Sequence, residues 1–226
     1  MKTSHALLFG ALALFTVFTA GQAPAGTTYT ATDKTPVPTQ PPMEPCAGPI
    51  SYSNIELLYA YTDFDSGLGS DDHTNGAQLN IEWSPFQNFY LAVGGEWFSE
   101  EDADLWVLHG GIGGYFPLTD HIHIAADGGI LWTDIEFDDD VFGGDDSDSD
   151  TGWYVRPHLR GKWGCFEAHA GALYRDMGDF NADGEDGRWA GFAKLYYHLT
   201  TSLDLTAGVL FDEDFTQVTG GIRWRF

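Results

Sequence analysis

Several groups of residues in this chain have the types and spacings that chemistry uses. His121 and His123 stand two apart in an alternating run, and the same parity places His169 and His198 on an interior face beside them. Imidazoles so arranged can share a metal ion or hydrogen-bond within a network of charges, and their spacing matches no established ligand motif. Asp179, Asn181 and Asp183, followed by Gly184, copy the first half of a calcium loop, but Ala190 stands where a bidentate Glu belongs. A weak Ca2+ site and a solvated acidic rim are the two readings of that stretch. His73 follows Asp71 and Asp72, yet no Ser-His-acid arrangement accompanies it, so the sequence offers no catalytic residues. Cys46 and Cys165 are the two cysteines, and neither belongs to a C-x-x-C pair that would favour a thiolate metal site.

What positions these groups is set by the organisation of the 226 residues. Lys2 followed by the apolar stretch 6–18 and then Ala23-Pro24-Ala25 reads as a secretory signal over residues 1–25. Residues 26–49 form a Pro-rich linker with no apolar face to bury, and the folded part is expected over 50–226. "MEPCAG" lacks the apolar-small run that precedes lipidated cysteines. No later stretch approaches eighteen consecutive apolar residues, which excludes helical membrane spans. The formal net charge of −24 excludes a nucleic-acid partner, because phosphate binding needs the opposite sign.

From residue 51 onward, apolar residues recur with period two. Ten runs are expected as strands at 51–62, 75–84, 88–99, 105–116, 121–133, 152–161, 165–176, 187–198, 203–212 and 215–226. Their length suits a tilted crossing of hydrocarbon, which takes roughly 9–11 residues, better than a soluble strand of about 5–6. In the last run, "GGIRWRF", Ile222, Trp224 and Phe226 take one face while Arg223 and Arg225 take the other. The connections alternate too. "SPFQ", "PLTD", "KWG" and "LTTS" are short, whereas 63–74, 100–104, 134–150, 176–186 and 212–214 hold 25 of the 34 acidic residues. In an up-and-down barrel alternate connections lie on opposite rims, so the acid falls on one rim and the short turns on the other. Outward-parity aromatics also gather near both rims, Trp97, Trp132, Trp153 and Trp189 at one and Trp83, Phe116, Tyr197 and Trp224 at the other. The fold class is therefore all-β, an antiparallel up-and-down transmembrane β-barrel of ten strands, with eight as the alternative.

With its terminal Phe226, the Trp224 before it, the signal sequence and the strand rhythm, the chain resembles the small bacterial outer-membrane β-barrels, the porin-like and outer-membrane-protein-A-type barrels. The resemblance covers 51–226 in pattern and implies a bacterial outer-membrane location. It also implies recognition of Phe226 by the barrel assembly machinery. Outer-membrane lipid is the expected partner, and a monomer the expected state.

Parity assigns Glu56, Glu82, Glu96, Asp127, Glu167 and Asp204 to the interior, with Arg156, Arg160, Arg175, Lys194, Arg223 and Arg225. Unpaired charges in a narrow interior are costly, so six acids against six bases predict an ion-pair network in a largely occluded lumen. Cys46 and Cys165 both fall on the short-turn rim, where an oxidising compartment favours a disulfide that pins the linker across the mouth. The expected role is structural or surface-interacting, through acidic outer loops. A narrow porin-like channel is the first alternative, and an enzyme of the omptin or lipid-A-modifying type is the second.

Overall fold

The computed structural model describes residues 46, 48–64, 73–100, 103–137, 147–178, 187–213 and 215–226. The expected signal sequence, most of the Pro-rich linker, Asp71 and Asp72, and the calcium candidates Asp179, Asn181 and Asp183 lie outside the described residues.

Ten strands follow one another: β1 Asn54–Phe64, β2 His73–Phe86, β3 Phe89–Glu100, β4 Ala103–Thr119, β5 Ile122–Phe137, β6 Ser147–Trp163, β7 Phe166–Asp176, β8 Arg188–His198, β9 Leu203–Phe211 and β10 Phe215–Arg225. Each pairs antiparallel with its neighbours in sequence, and β1 closes on β10 in a continuous register from Asn54↔Arg225 to Phe64↔Phe215. Closure leaves no edge strand, so apart from a lapse beside Pro157 between β6 and β7 the ladders satisfy the backbone within the protein, as a bilayer demands.

The side chains are distributed inside out relative to a soluble barrel. Ile112 and Ile130 on the outer surface are 70% and 68% exposed, whereas Arg160 and Arg223 in the interior are each 1% exposed. Exposed aromatics ring the wall at both ends, with Tyr61, Trp97, Trp153 and Trp189 towards the long connections and Trp83, Phe116, Phe166 and Trp224 towards the short turns. An exterior of Leu, Ile and Val between two such rings suits hydrocarbon flanked by headgroups.

The strands depart from the expected ones in two places. β4, β5 and β6 run for 17, 16 and 17 residues, and the expected loop 134–150 shrinks to 138–146. Asp134↔Ser149 and Glu136↔Ser147 continue the ladder past the aromatic ring. Beyond the hydrocarbon both faces of a strand meet water, so the apolar alternation stops while the hydrogen bonding goes on. The second departure is at the start: β1 begins at Asn54, not at residue 51. The preceding segment turns inward instead, with Ile50 and Tyr52 only 6% and 3% exposed.

The short turns are tight. Trp163 pairs with Phe166 across a two-residue loop, where Gly164 sits at φ 58. Glycine at the first central position is what a two-residue hairpin of this twist requires. Cys165 is thereby presented on the rim.

Candidate functional site

The interior is a stack of three zones along the barrel axis. The middle zone holds the charges. All twelve residues assigned inward by parity face the lumen, and each meets an opposite charge. Four of the contacts bridge strands that are not neighbours. Arg160 of β6 donates from Nη1 and Nη2 to Glu82 of β2 at 2.9 and 2.6 Å. Arg175 of β7 reaches Glu96 of β3 at 2.6 Å, and Lys194 of β8 reaches Glu56 of β1 at 2.7 Å. Arg223 of β10 grips both carboxylate oxygens of Glu167 on β7 at 2.9 and 3.0 Å. Its Nε donates to Asp204 of β9 at 2.7 Å, and its guanidinium lies 3.6 Å over the Tyr196 ring. Arg225 also donates to Asp204, at 3.1 Å. Arg156 donates to Asp127 on the neighbouring β5 at 3.0 Å, and Tyr90 of β3 donates to the same carboxylate oxygen at 3.0 Å. Charges this buried are tolerable only when paired and hydrogen-bonded, which is how these stand.

Above the charges, towards the long connections, Leu131, Tyr154, Leu173 and Leu210 form an apolar cluster with Phe192 and Phe215 packed on it. A cavity of about 70 Å3 separates this cluster from the amides and hydroxyls of Gln78, Asn80, Gln217 and Thr219. A second cavity, of about 30 Å3, lies among Glu82, Ala92, His158, Arg160 and His169. Both are sized for a few waters at most.

Below the charges, the segment before β1 fills the short-turn mouth. Tyr52 stacks on Tyr115 with ring centroids 3.8 Å apart and planes 5° apart. The Arg160 guanidinium lies 4.2 Å from the Tyr52 centroid, and the Tyr52 hydroxyl is hydrogen-bonded to His123 at 3.2 Å. Burial pushes the Tyr52 phenol well above its ordinary pKa, against the pull of Arg160, so it stays neutral. Ile50, Tyr52, Tyr90, Ala92 and Ala125 make one buried cluster. Lys162 donates to the Gly48 carbonyl at 2.8 Å, and Cys46 is disulfide-bonded to Cys165 with Cα atoms 4.4 Å apart.

The histidines part company with the expected arrangement. His121 lies exposed in the β4–β5 turn, not on the interior face with His123, because the strand resumes only at Ile122. His169 and His198 are buried, but each is hydrogen-bonded to a carboxylate, Glu167 at 2.7 Å and Asp204 at 2.6 Å. Those carboxylates already serve Arg223. Among the described residues no group of three or more His, Cys, Asp or Glu is arranged to hold a metal ion. His73, the outer-rim histidine, stacks near Tyr61 at 5.6 Å.

Some interior residues are not singled out by the sequence reading. His158 accepts a hydrogen bond from Arg160 Nε at 3.0 Å and also meets the Arg156 carbonyl at 3.1 Å, which fixes it neutral with its proton on Nδ1. Gln78 of β2 donates to Gln217 of β10 at 2.9 Å. Strand parity alone is signal enough to place both indoors.

No family model matches the chain, and no curated protein matches it in sequence. Solved structures do. Neisserial surface protein A aligns over 78% of this chain and 98% of its own, at 13% identity and a TM-score of 0.45. The N-terminal β-barrel domain of Pseudomonas aeruginosa OprF aligns over 77% and 98%, at 9% identity and 0.40. The attachment invasion locus protein Ail of Yersinia pestis aligns over 78% and 100%, at 12% identity and 0.38. Likeness at this level assigns no role. The architecture rests on the chain's own geometry: a closed antiparallel sheet, an aliphatic exterior between two aromatic rings and a polar, paired interior. The chain is a closed, ten-stranded antiparallel up-and-down β-barrel with the apolar exterior of a transmembrane barrel.

Proposed function

We propose that this protein works as a closed barrel: a membrane-anchored scaffold that presents acidic outer connections and conducts no solute. The observation that carries this reading is the set of four charge bridges thrown across the lumen, from β6 to β2, β7 to β3, β8 to β1 and β10 to β7. Side chains that met only adjacent strands would line a pore. Side chains that meet three or four strands away fill it, and moving them aside would break buried charge pairs. The apolar cluster above and the Tyr52 segment below support the same reading.

The rim with the long connections faces outward in this reading, and the short turns and the chain's entry to the barrel face the periplasm. The acid of the long connections then stands beside envelope lipid phosphates. Divalent cations such as Ca2+ would be needed to join the two, and surface contact through such bridges is the role the charge pattern favours. Planar-bilayer recording of the refolded, oxidised full chain tests the closed lumen. The expected trace is flat at moderate voltage. Steady, reproducible openings would replace this reading with a narrow diffusion channel.

A further inference from the structure

The segment that fills the short-turn mouth is a strap held at both ends. At its far end Ser53 is locked into the barrel: its hydroxyl accepts from the Ser84 amide at 3.2 Å, and its carbonyl accepts from the Phe226 amide at 3.1 Å. At its near end the covalent tie is the disulfide from Cys46 to Cys165, which sits in the two-residue β6–β7 turn. Ile50 and Tyr52 lie buried between these ties.

The wall against which they lie has small residues at two inward positions, Ala92 of β3 and Ala125 of β5, with Tyr90 and Tyr115 packed in the same cluster. Arg160 of β6, beside β5, and His169 and Glu167 of β7 carry the next stretch of wall, already committed to their own partners. The 30 Å3 cavity begins at Ala92, and it shares Asn80, His109, Arg156, Phe192 and Lys194 with the 70 Å3 cavity above it. Tyr52 is thus the stopper beneath a file of small cavities along one side of the barrel.

Resting on the closed-barrel reading, we propose that the Cys46–Cys165 disulfide is a redox latch on this stopper, and that its reduction by a dithiol opens the short-turn mouth. Both cysteines are partly exposed on the rim, within reach of an attacking thiolate. The thiolate of a small or protein dithiol displaces one cysteine sulfur as a thiolate, which takes up a proton. The dithiol's second thiol then resolves the mixed disulfide and releases the other cysteine. The dithiol leaves as a disulfide, and Cys46 and Cys165 are left as two thiols. The strap is then tied only at Ser53. Ordering it against the wall now costs chain entropy that the closed ring had already removed, and what holds it is non-covalent: the burial of Ile50 and Tyr52, the ring stack, the Arg160 contact and the hydrogen bonds to His123 and Lys162. The stopper swings out, and water enters from the short-turn side.

The test is hydrogen exchange read by mass spectrometry on the folded full-length protein in lipid, before and after dithiothreitol is added, with bilayer recording of the same samples. The amides of residues 50–53 are expected to lose protection on reduction and to regain it on reoxidation, while the trace stays flat because the charge bridges above the mouth still stand. The Cys46→Ser/Cys165→Ser variant, shown to be folded by heat-modifiable migration, is expected to lack that protection without reductant and to ignore it. Protection of residues 50–53 that is unchanged after reduction, with mass spectrometry confirming two free thiols, overturns the latch and leaves the closed barrel standing. Openings already present in the oxidised protein overturn the closed barrel and the latch that rests on it.

Discussion

Arg160 and Glu82 face each other across the lumen from β6 and β2, joined by two parallel hydrogen bonds of 2.9 and 2.6 Å. The two strands lie four places apart around the barrel, so this pair ties one wall to nearly the opposite one. Two further contacts tune it: Asn54 donates to Glu82 at 3.0 Å, and Arg160 caps the Tyr52 ring. The pair therefore links the charged zone to the stopper.

Removing one partner should cost far more than removing both. Arg160→Ala leaves the Glu82 carboxylate with Arg156 at 3.8 Å as its nearest cation, and a loss of about 3–5 kcal/mol is expected for a buried charge stripped of its partner. Arg160→Met with Glu82→Leu replaces the pair by apolar bulk, and its loss should fall well below the sum of the two single losses. Urea unfolding of the barrel in lipid vesicles measures all three variants. Strict additivity would show that the two residues do not act as a pair.

How much of this is legible in the sequence follows from what period-two alternation encodes. Parity places Arg223, Glu167 and Glu82 indoors because their neighbours in sequence must meet hydrocarbon, and that constraint acts on every strand. Which acid meets which base is not legible. Glu167 meets Arg223 three strands away only because the closed barrel has its particular stagger, and no single strand carries that information. Tyr52 escapes the sequence reading for an instructive reason. Ile50, Tyr52 and Asn54 continue the inward parity, so a segment that folds into the lumen looks like more of the first strand. The cysteine pairing is legible from topology alone, since both residues fall on one rim once the strands are counted. The calcium-like stretch at Asp179, Asn181 and Asp183 lies outside the described residues, so geometry adds nothing to its reading.

Arg223 and Arg225 both serve Asp204, and their lysine variants should separate cleanly. Arg223 uses three nitrogens on two carboxylates and lies over Tyr196, whereas Arg225 meets a single carboxylate oxygen, of Asp204, and the Thr200 carbonyl at 3.1 Å. Lysine keeps the charge but offers a single point of contact and stacks poorly. Arg223→Lys should cost about 2 kcal/mol or more, because several buried hydrogen bonds to charged groups are lost together. Arg225→Lys should cost about half of that or less by the same reasoning. Equal losses in a denaturant titration would mean that bidentate geometry and ring stacking contribute little here.

The wall itself has a weak point between β6 and β7. Pairing runs from Trp153↔Asp176 to Val155↔Tyr174, lapses, and resumes without a shift at His158↔Gly171. The missing pairs are those that need an N–H at position 157, which is Pro157. In an antiparallel ladder that N–H would reach the Ala172 carbonyl, so the carbonyl lacks its ladder donor at mid-bilayer depth, between Trp153 and Trp163. Pro157→Ala supplies the donor. Overall stability should change little, since a hydrogen bond contributes about 0.5–1.5 kcal/mol and removing a proline loosens the unfolded chain by about 0.4–1 kcal/mol. Hydrogen exchange is the better readout. The amide that the substitution creates should be as protected as those of Val155 and Leu159, which face β7 in the same phase. Rapid exchange of that new amide would mean that the two strands stand apart there for a reason other than the imino acid, and the breach would then belong to the fold itself.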